Sequence, residues 1–238
     1  MNMLFNRAEA IFQEEGLFSL IKKTFLFLYI KTISIFLDYG TYYMYEKSLS
    51  QNESFNIKPK IIDGIEIKVI STTKMLEELI IRGYSFDIAN FKERFKKCPL
   101  AFCIFVDQQL IHITFVALNE EQKKEIDRLP FKVYFQNKEA CSGASFTEPK
   151  FRGKGLLSYI YTYIFPYLAQ RGMVKDKFTI EVNNISSQKA HAKFNPTIIG
   201  KGHYLKIFWW EFWKEEPVKE EIEDVCQVIS DRGIKEQN

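Results

Sequence analysis

The sequence predicts a mixed α/β fold, and three observations predict it. An apolar run at 144–147 meets a proline and then the basic glycine turn Arg152-Gly153-Lys154-Gly155, directly before a helical pattern. Upstream, a β-alternating segment at 65–70, two helix-spaced segments at 72–83 and 86–97, and two β-rich runs at 101–106 and 110–118 follow in order. Downstream, 177–182 alternates into a strand and 184–193 has the spacing of a short helix. Periods of two and of 3.6 residues thus exchange repeatedly, which requires strands and helices in one core.

The elements can be justified in turn. Residues 3–14 and 17–46 read as helices punctuated by Gly16, and the second is very apolar between Leu17 and Leu37. Its longest uncharged run, 24–30, is far short of the roughly 20 residues that a membrane span needs. Packing on its own domain, a homodimer interface and a peripheral membrane helix remain as alternatives for it. Residues 47–60 are polar and rich in breakers, so they read as a linker. The expected domains are a helical extension over 1–56, a principal domain over 57–216, and a C-terminal helix and tail over 217–238.

Within the principal domain, Asp107-Gln108-Gln109 suggests a hairpin, and 120–128 reads as a solvated helix or loop rather than a site. Residues 131–136 and 139–147 are expected as strands, the second feeding the glycine turn. A helix should run from Gly155 to about Arg171, with Leu156, Leu157, Ile160, Ile164, Tyr167 and Leu168 on its packed side. Pro166 removes one backbone donor, so a kink or short break is expected there. Residues 198–213 supply the last strands.

The chain has 238 residues, is 46% hydrophobic and 16% aromatic, and carries a net charge of +3. That is enough apolar matter for one good core plus an appendage. The charge is too mild to argue for a nucleic-acid binder and suffices for a small anionic ligand. Cys98, Cys103, Cys141 and Cys226 form no CxxC pair and no metal-type spacing with His112, His191 or His203, so no metal is expected. Reduced thiols and the lack of a signal-peptide pattern make the expected location cytoplasmic, with the inner membrane face as a peripheral alternative.

The glycine turn has the layout of an anion site. Two glycines allow a tight turn and a close backbone approach, while the first free N–H groups of the helix, Arg152 and Lys154 favour negative charge. The run Thr147-x-Pro149-x-Phe151-Arg152-Gly153-Lys154-Gly155-Leu156 resembles the acyl-CoA pyrophosphate loop of the GNAT superfamily of N-acyltransferases, Q/R-x-x-G-x-G/A, with Leu157 departing at the last position. A second run resembles the family's N-x-x-S/A-x-x-x-x-x-K-x-G-F through Asn184, Ser187 and Lys193, with Asn195 and Pro196 in place of Gly-Phe. The resemblance covers about 61–216 and implies a mostly antiparallel twisted sheet flanked by helices.

It further implies transfer of an acetyl group from acetyl-CoA to a small primary amine by direct attack. Acetyl-CoA would be held by Phe146, Thr147, Arg152, Gly153, Lys154, Gly155, Leu156, Asn184 and Ser187. Asn184 either contacts this co-substrate, caps the following helix, or does both. Glu139 lies 13 positions before Arg152, in the place of the general-base glutamate of the histone-modifying branch, and is otherwise a surface carboxylate at a strand start. His191 falls seven residues after Asn184, where many GNAT enzymes carry the tyrosine that protonates the thiolate, and is otherwise a histidine on the side of a short helix.

The acceptor is weakly marked. Tyr42, Tyr43, Phe86, Phe91, Phe115, Trp209, Trp210 and Trp213 could line a stacking cleft or fill a core. Residues 7–23 resemble the openings of GNAT proteins found with surface-polysaccharide enzymes, which implies an amino sugar. The competing readings are a catalytically inactive acyl-CoA-binding module and a membrane-peripheral scaffold.

Overall fold

The computed structural model describes residues 18, 21, 22, 24, 37–51, 53, 55–60, 63–86 and 91–217. The expected helix at 3–14 and the C-terminal helix after Pro217 lie outside these residues. The strands are β1 (Leu37–Ser48), β2 (Ile65–Ile70), β3 (Ala101–Val106), β4 (Gln109–Ala117), β5 (Glu139–Thr147), β6 (Lys175–Glu181), β7 (Thr197–Ile207) and β8 (Trp210–Glu216). The helices are α1 (Thr73–Ile81), α2 (Phe91–Lys97), α3 (Glu120–Ile126), α4 (Leu156–Gln170) and α5 (Ile185–Ala192). The strand order is β2-β3-β4-β5-β6-β1-β7-β8. The pairs β2/β3, β3/β4, β4/β5 and β1/β6 are antiparallel, whereas β5/β6 is parallel. The mixed α/β class with a mostly antiparallel sheet is therefore as the sequence predicts. No described helix is long and apolar enough to cross a membrane.

By compactness the described residues fall into two units. The larger holds Thr41–Gly202 and the described residues 215–217. In it β3 and β4 are buried almost throughout, as continuous apolar strands at the middle of a covered sheet must be. Asp107 and Gln108 both take positive φ, 48° and 63°, giving the two-residue reversal whose twist matches the strands it joins. The parallel β5/β6 pair needs a crossover, and α4 provides it. Leu156, Ile160, Ile164 and Leu168 recur every four residues along α4 and pack with Leu100, Phe102, Ile104, Ala140 and Phe194. Helix α4 runs unbroken through Pro166.

Three expectations are corrected here. The helix expected over 17–46 covers the described residues 18, 21, 22 and 24, but 37–48 is strand β1. Tyr42 to Ser48 pair with Glu181 to Lys175, so residues 41–48 lie inside the sheet rather than in a helical extension. Thr41 and four nearby tyrosines favour a pleated, half-buried surface, and Tyr45 stacks on Phe178 at 5.3 Å. The strand expected at 131–136 is absent: 131–134 is irregular and Phe135–Asn137 is a single tight turn ended by Lys138 at φ 61°. Of the expected linker at 47–60, residues 47–48 end β1 and the described residues after them are irregular but packed, with the Phe55 ring 4.9 Å from that of Phe194 and the Lys60 N–H donating to the Lys154 carbonyl at 3.0 Å.

The smaller unit holds the described residues up to Gly40 together with His203–Lys214. The strands β7 and β8 join there through Phe208 and Trp209, with Phe208 at φ 56°. Trp209 is 75% exposed and Trp210 57%.

Candidate functional site

The glycine turn forms as the sequence expects. Pro149–Phe151 make one tight turn, and Arg152 Nε ties back to the Thr147 carbonyl at 3.1 Å. Gly153 and Gly155 have φ of 72° and 79°, the left-handed region that side chains resist. Among the described residues, the N–H groups of Gly153, Lys154, Gly155 and Leu156 have no acceptor. A Cβ on Gly153 would meet nothing within 4 Å, and one on Gly155 only the Cα of Pro59 at 3.9 Å. The turn is therefore an open cradle of donors at a 15-residue helix's positive end, with two basic side chains beside it. Leu157, the departure from the family pattern, packs half-buried against the core instead of filling the turn.

Strand β5 leads into this cradle and parts from β6 on the way. Their pairing consists of Glu139, Ala140 and Cys141 against Lys175, Asp176 and Lys177, and ends there. Register between β4 and β5 then shifts, with Ala144 at φ 48°. A bulge of this kind bends the strand and ends local pairing. Ser142, Gly143, Phe146 and Thr147 stay paired with β4, while the β6 pairing of β5 has ended at Cys141. Such an edge offers backbone donors and acceptors to an extended ligand.

A buried polar chain crosses the sheet at this opening. His112 Nδ1 meets Thr147 Oγ1 at 2.7 Å, His112 Nε2 meets Thr114 Oγ1 at 3.2 Å, and Thr114 Oγ1 meets Ser145 Oγ at 2.8 Å. Ser142 Oγ meets the Tyr161 hydroxyl at 2.8 Å and donates to Asp176 Oδ2 at 2.6 Å. Burial lifts the Asp176 carboxyl to about 7, against the pull of its bonds with Ser142, and Oδ1 has no partner. Burial pushes His112 down to about 3, so it is a neutral link.

His191 is placed differently from its expected role. It is wedged between the rings of Tyr161 and Phe178, each 4.6 Å away, and its Nδ1–H donates to the Ser187 carbonyl at 2.8 Å. Burial holds it at about 4, so at neutral pH its unpartnered Nε2 carries no proton to give. It fits a packing role rather than that of the acid. Asn184 caps α5, its Oδ1 accepting the Ser187 N–H at 3.1 Å.

Glu139 is likewise committed elsewhere. It sits at the closed end of β5, roughly 26 Å of strand from the far end. Its carboxylate pairs with Lys177 at 2.8 Å and accepts the Tyr134 N–H at 2.7 Å. Glu139→Gln should lower stability by about 3 kcal/mol, because a nearly buried lysine is left without its partner. Urea unfolding checks this; an unchanged midpoint would mean that Glu46, 3.8 Å from Lys177, takes over the pairing.

The region 120–128, set aside in the sequence, borders a cavity of about 360 Å³ lined by Arg94, Asp127, Arg128, Gly143, Ala144 and Thr179, among others. Asp127 Oδ2 accepts from Thr179 Oγ1 at 2.7 Å and Oδ1 from the Leu129 N–H at 2.9 Å. Desolvation raises its carboxyl above the usual range, opposed by those bonds and by Lys123 and Arg128. Lys123 is itself buried, donating to the Leu129 carbonyl at 2.6 Å, so this helix is no simple solvated element. An acid between Ile126 and Leu129 was the available signal, and a weak one. The aromatic candidates do not share its lining: Phe91 and Phe115 are core, and Tyr42 alone of the eight borders the cavity.

No family model matches the chain, and no curated protein matches it. Among solved structures it is similar to a GNAT-family acetyltransferase of Colwellia psychrerythraea, at 15% identity and a TM-score of 0.42 over 72% of this chain and 57% of that one. It is also similar to a GCN5-related N-acetyltransferase of Sphaerobacter thermophilus, at 8% identity and a TM-score of 0.46 over 86% and 58%. A third is the GCN5-related glucosamine N-acetyltransferase region of a fungal multi-domain GH3 beta-N-acetylglucosaminidase, at 13% identity and a TM-score of 0.46 over 84% and 23%. The chain thus spans less than two thirds of each of these.

Proposed function

We propose that the chain is an acyl-CoA-dependent N-acyltransferase of the GNAT type, with acetyl-CoA as donor and a primary amine as acceptor. The observation that carries this reading is the donor cradle at Gly153–Leu156 lying at the end of the strand that parts from its neighbour. The cradle takes the pyrophosphate, with Arg152 and Lys154 adding charge. The open side of β5 around Phe146 and Thr147 bonds the amides of the pantetheine arm, and Asn184 and Ser187 at the start of α5 are assigned to the same co-substrate. An arm laid along this opening brings the thioester to the point where pairing resumes, beside Ser142.

The amine's lone pair then attacks the thioester carbon, a C–N bond forms, the C–S bond breaks, and the thiolate leaves. The group assigned to protonate the thiolate is Asp176, whose carboxyl burial lifts to about 7 and which is joined through Ser142 to the Tyr161 hydroxyl; delivery requires Ser142 to turn, accepting from the protonated Asp176 instead of donating to it. Calorimetric titration with acetyl-CoA tests the reading. Saturable binding with a Kd of roughly 1 to 50 µM, about −8 to −6 kcal/mol, is expected; no heat and no competition by free CoA would remove the assignment.

A further inference from the structure

Among the described residues, the tip of the β7–β8 hairpin gathers Phe208, Trp209, Trp210 and Phe212, all exposed. The rings follow one another closely, Phe208 to Trp209 at 5.7 Å and Trp209 to Trp210 at 5.4 Å between centroids, so they form one aromatic surface and not scattered side chains. Trp210 and Phe212 stand two apart on β8 and share a face by alternation. A strand ordinarily turns such a face inward, yet these two are 57% and 54% exposed. Strand β8 also ends the strand order, with no further strand beyond it among the described residues. Lys206 and Glu211 neutralise each other at 3.1 Å, so the tip presents rings rather than charge.

Two features specify what these rings meet. The first is their kind: tryptophan joins a large apolar ring to one N–H donor, which suits the boundary between lipid chains and headgroups. The second is charge in the chain that leads into β1, whose described residues belong to the same compact unit. From Leu17 to Leu37 its only charged residues are Lys22, Lys23 and Lys31. Of its described residues, Phe18 and Ile21 are 84% and 55% exposed, and Lys22 is exposed as well. An apolar segment charged only by lysine is complementary to an anionic lipid surface. A second copy of this chain would instead bring a like-charged segment to the same two-fold interface.

We propose that this unit docks on an anionic membrane surface: Trp209, Trp210 and Phe212 insert at the level of the lipid headgroups and first methylenes, and the lysines of 17–37 meet lipid phosphates. The uncharged run 24–30 is too short to span a bilayer, so the contact lies in the plane of the surface. The inference stands on the smaller unit alone and does not depend on the acyltransferase reading.

The chain's three tryptophans, Trp209, Trp210 and Trp213, all lie in this hairpin, so intrinsic emission reports on it alone. The full chain is titrated with vesicles of three parts phosphatidylcholine to one of phosphatidylglycerol, with phosphatidylcholine alone as the comparison. On the anionic vesicles emission should shift to the blue and be quenched by lipids brominated near the headgroup end of the acyl chain. Partitioning should be at least tenfold weaker on the neutral vesicles and should fall with added salt, as screening requires. Trp209→Ser with Phe212→Ser removes two rings that are more than half exposed, so the fold is retained, and it keeps two reporters. This variant should partition at least tenfold more weakly, and Lys22→Glu with Lys23→Glu should erase the preference for anionic lipid. Unshifted emission on anionic vesicles overturns the inference, as does equal partitioning on neutral ones. So does full vesicle binding by the ring variant, or an anionic preference that survives the lysine changes. A blue shift that grows with protein concentration in the absence of lipid assigns the surface to a second copy and overturns it too.

Discussion

Gly155→Val abolishes saturable acetyl-CoA binding while the protein stays folded. Gly155 sits at φ 79° just before α4, and a β-branched residue in that region is strained by roughly 1–2 kcal/mol. The backbone has room for a Cβ, whose nearest neighbour would be the Pro59 Cα at 3.9 Å, so the damage is not a clash within the protein. It lies outside, where the γ-methyls occupy the space onto which the N–H groups of Gly153 to Leu156 open. Gly172 supplies the control. It has φ 76° at the other end of α4 and nothing within 4 Å of a built Cβ, so Gly172→Val carries the same strain away from the cradle. Both variants should lose similar stability in thermal unfolding, and only Gly155→Val should lose acetyl-CoA heat in calorimetry. A folded Gly155→Val protein with wild-type affinity would remove the cradle from the site.

Asp176→Asn flattens the pH dependence of stability on the alkaline side. In the unfolded chain this carboxyl has its ordinary value of 3.8, and in the fold burial raises it to about 7. The folded state thus holds a proton that the unfolded state has lost. The stability tied to that proton is complete below about pH 4 and disappears as pH rises through about 7. Between pH 5 and pH 8 the wild type should lose about 2–3 kcal/mol more than the asparagine variant. His112 and His191, lowered to about 3 and about 4, act in the opposite sense, adding stability as pH rises toward 6.5. They are present in both proteins and cancel in the difference. Parallel urea-unfolding profiles at pH 5 and pH 8 would show that Asp176 is ionised in the fold, and with it would go the proton source proposed for the thiolate.

The elements fixed by near neighbours were legible in the sequence. Strand β2, helix α1 and the β3–β4 hairpin match their expected limits within a residue or two, because alternation, the Thr72 cap and a two-residue polar join are local signals. The glycine turn was legible for the same reason: two glycines before an apolar helix fix backbone geometry wherever they occur. Strand β1 was not, since a tyrosine-rich stretch after a greasy helical pattern has no local feature that reserves it for the edge of β6. The strand expected at 131–136 failed likewise, its apolar residues packing without a ladder.

By itself the sequence determined the mixed α/β class, the two-glycine turn and the helix that follows it. Only the tertiary structure decided the side-chain chemistry. It tied Glu139 to Lys177, 38 residues away, and buried His191 between two rings. It also raised Asp176 and Asp127 by desolvation. A turn is specified by the dihedral preferences of consecutive residues, whereas a carboxylate's proton affinity is set by the water and charges that distant segments bring to it or take away.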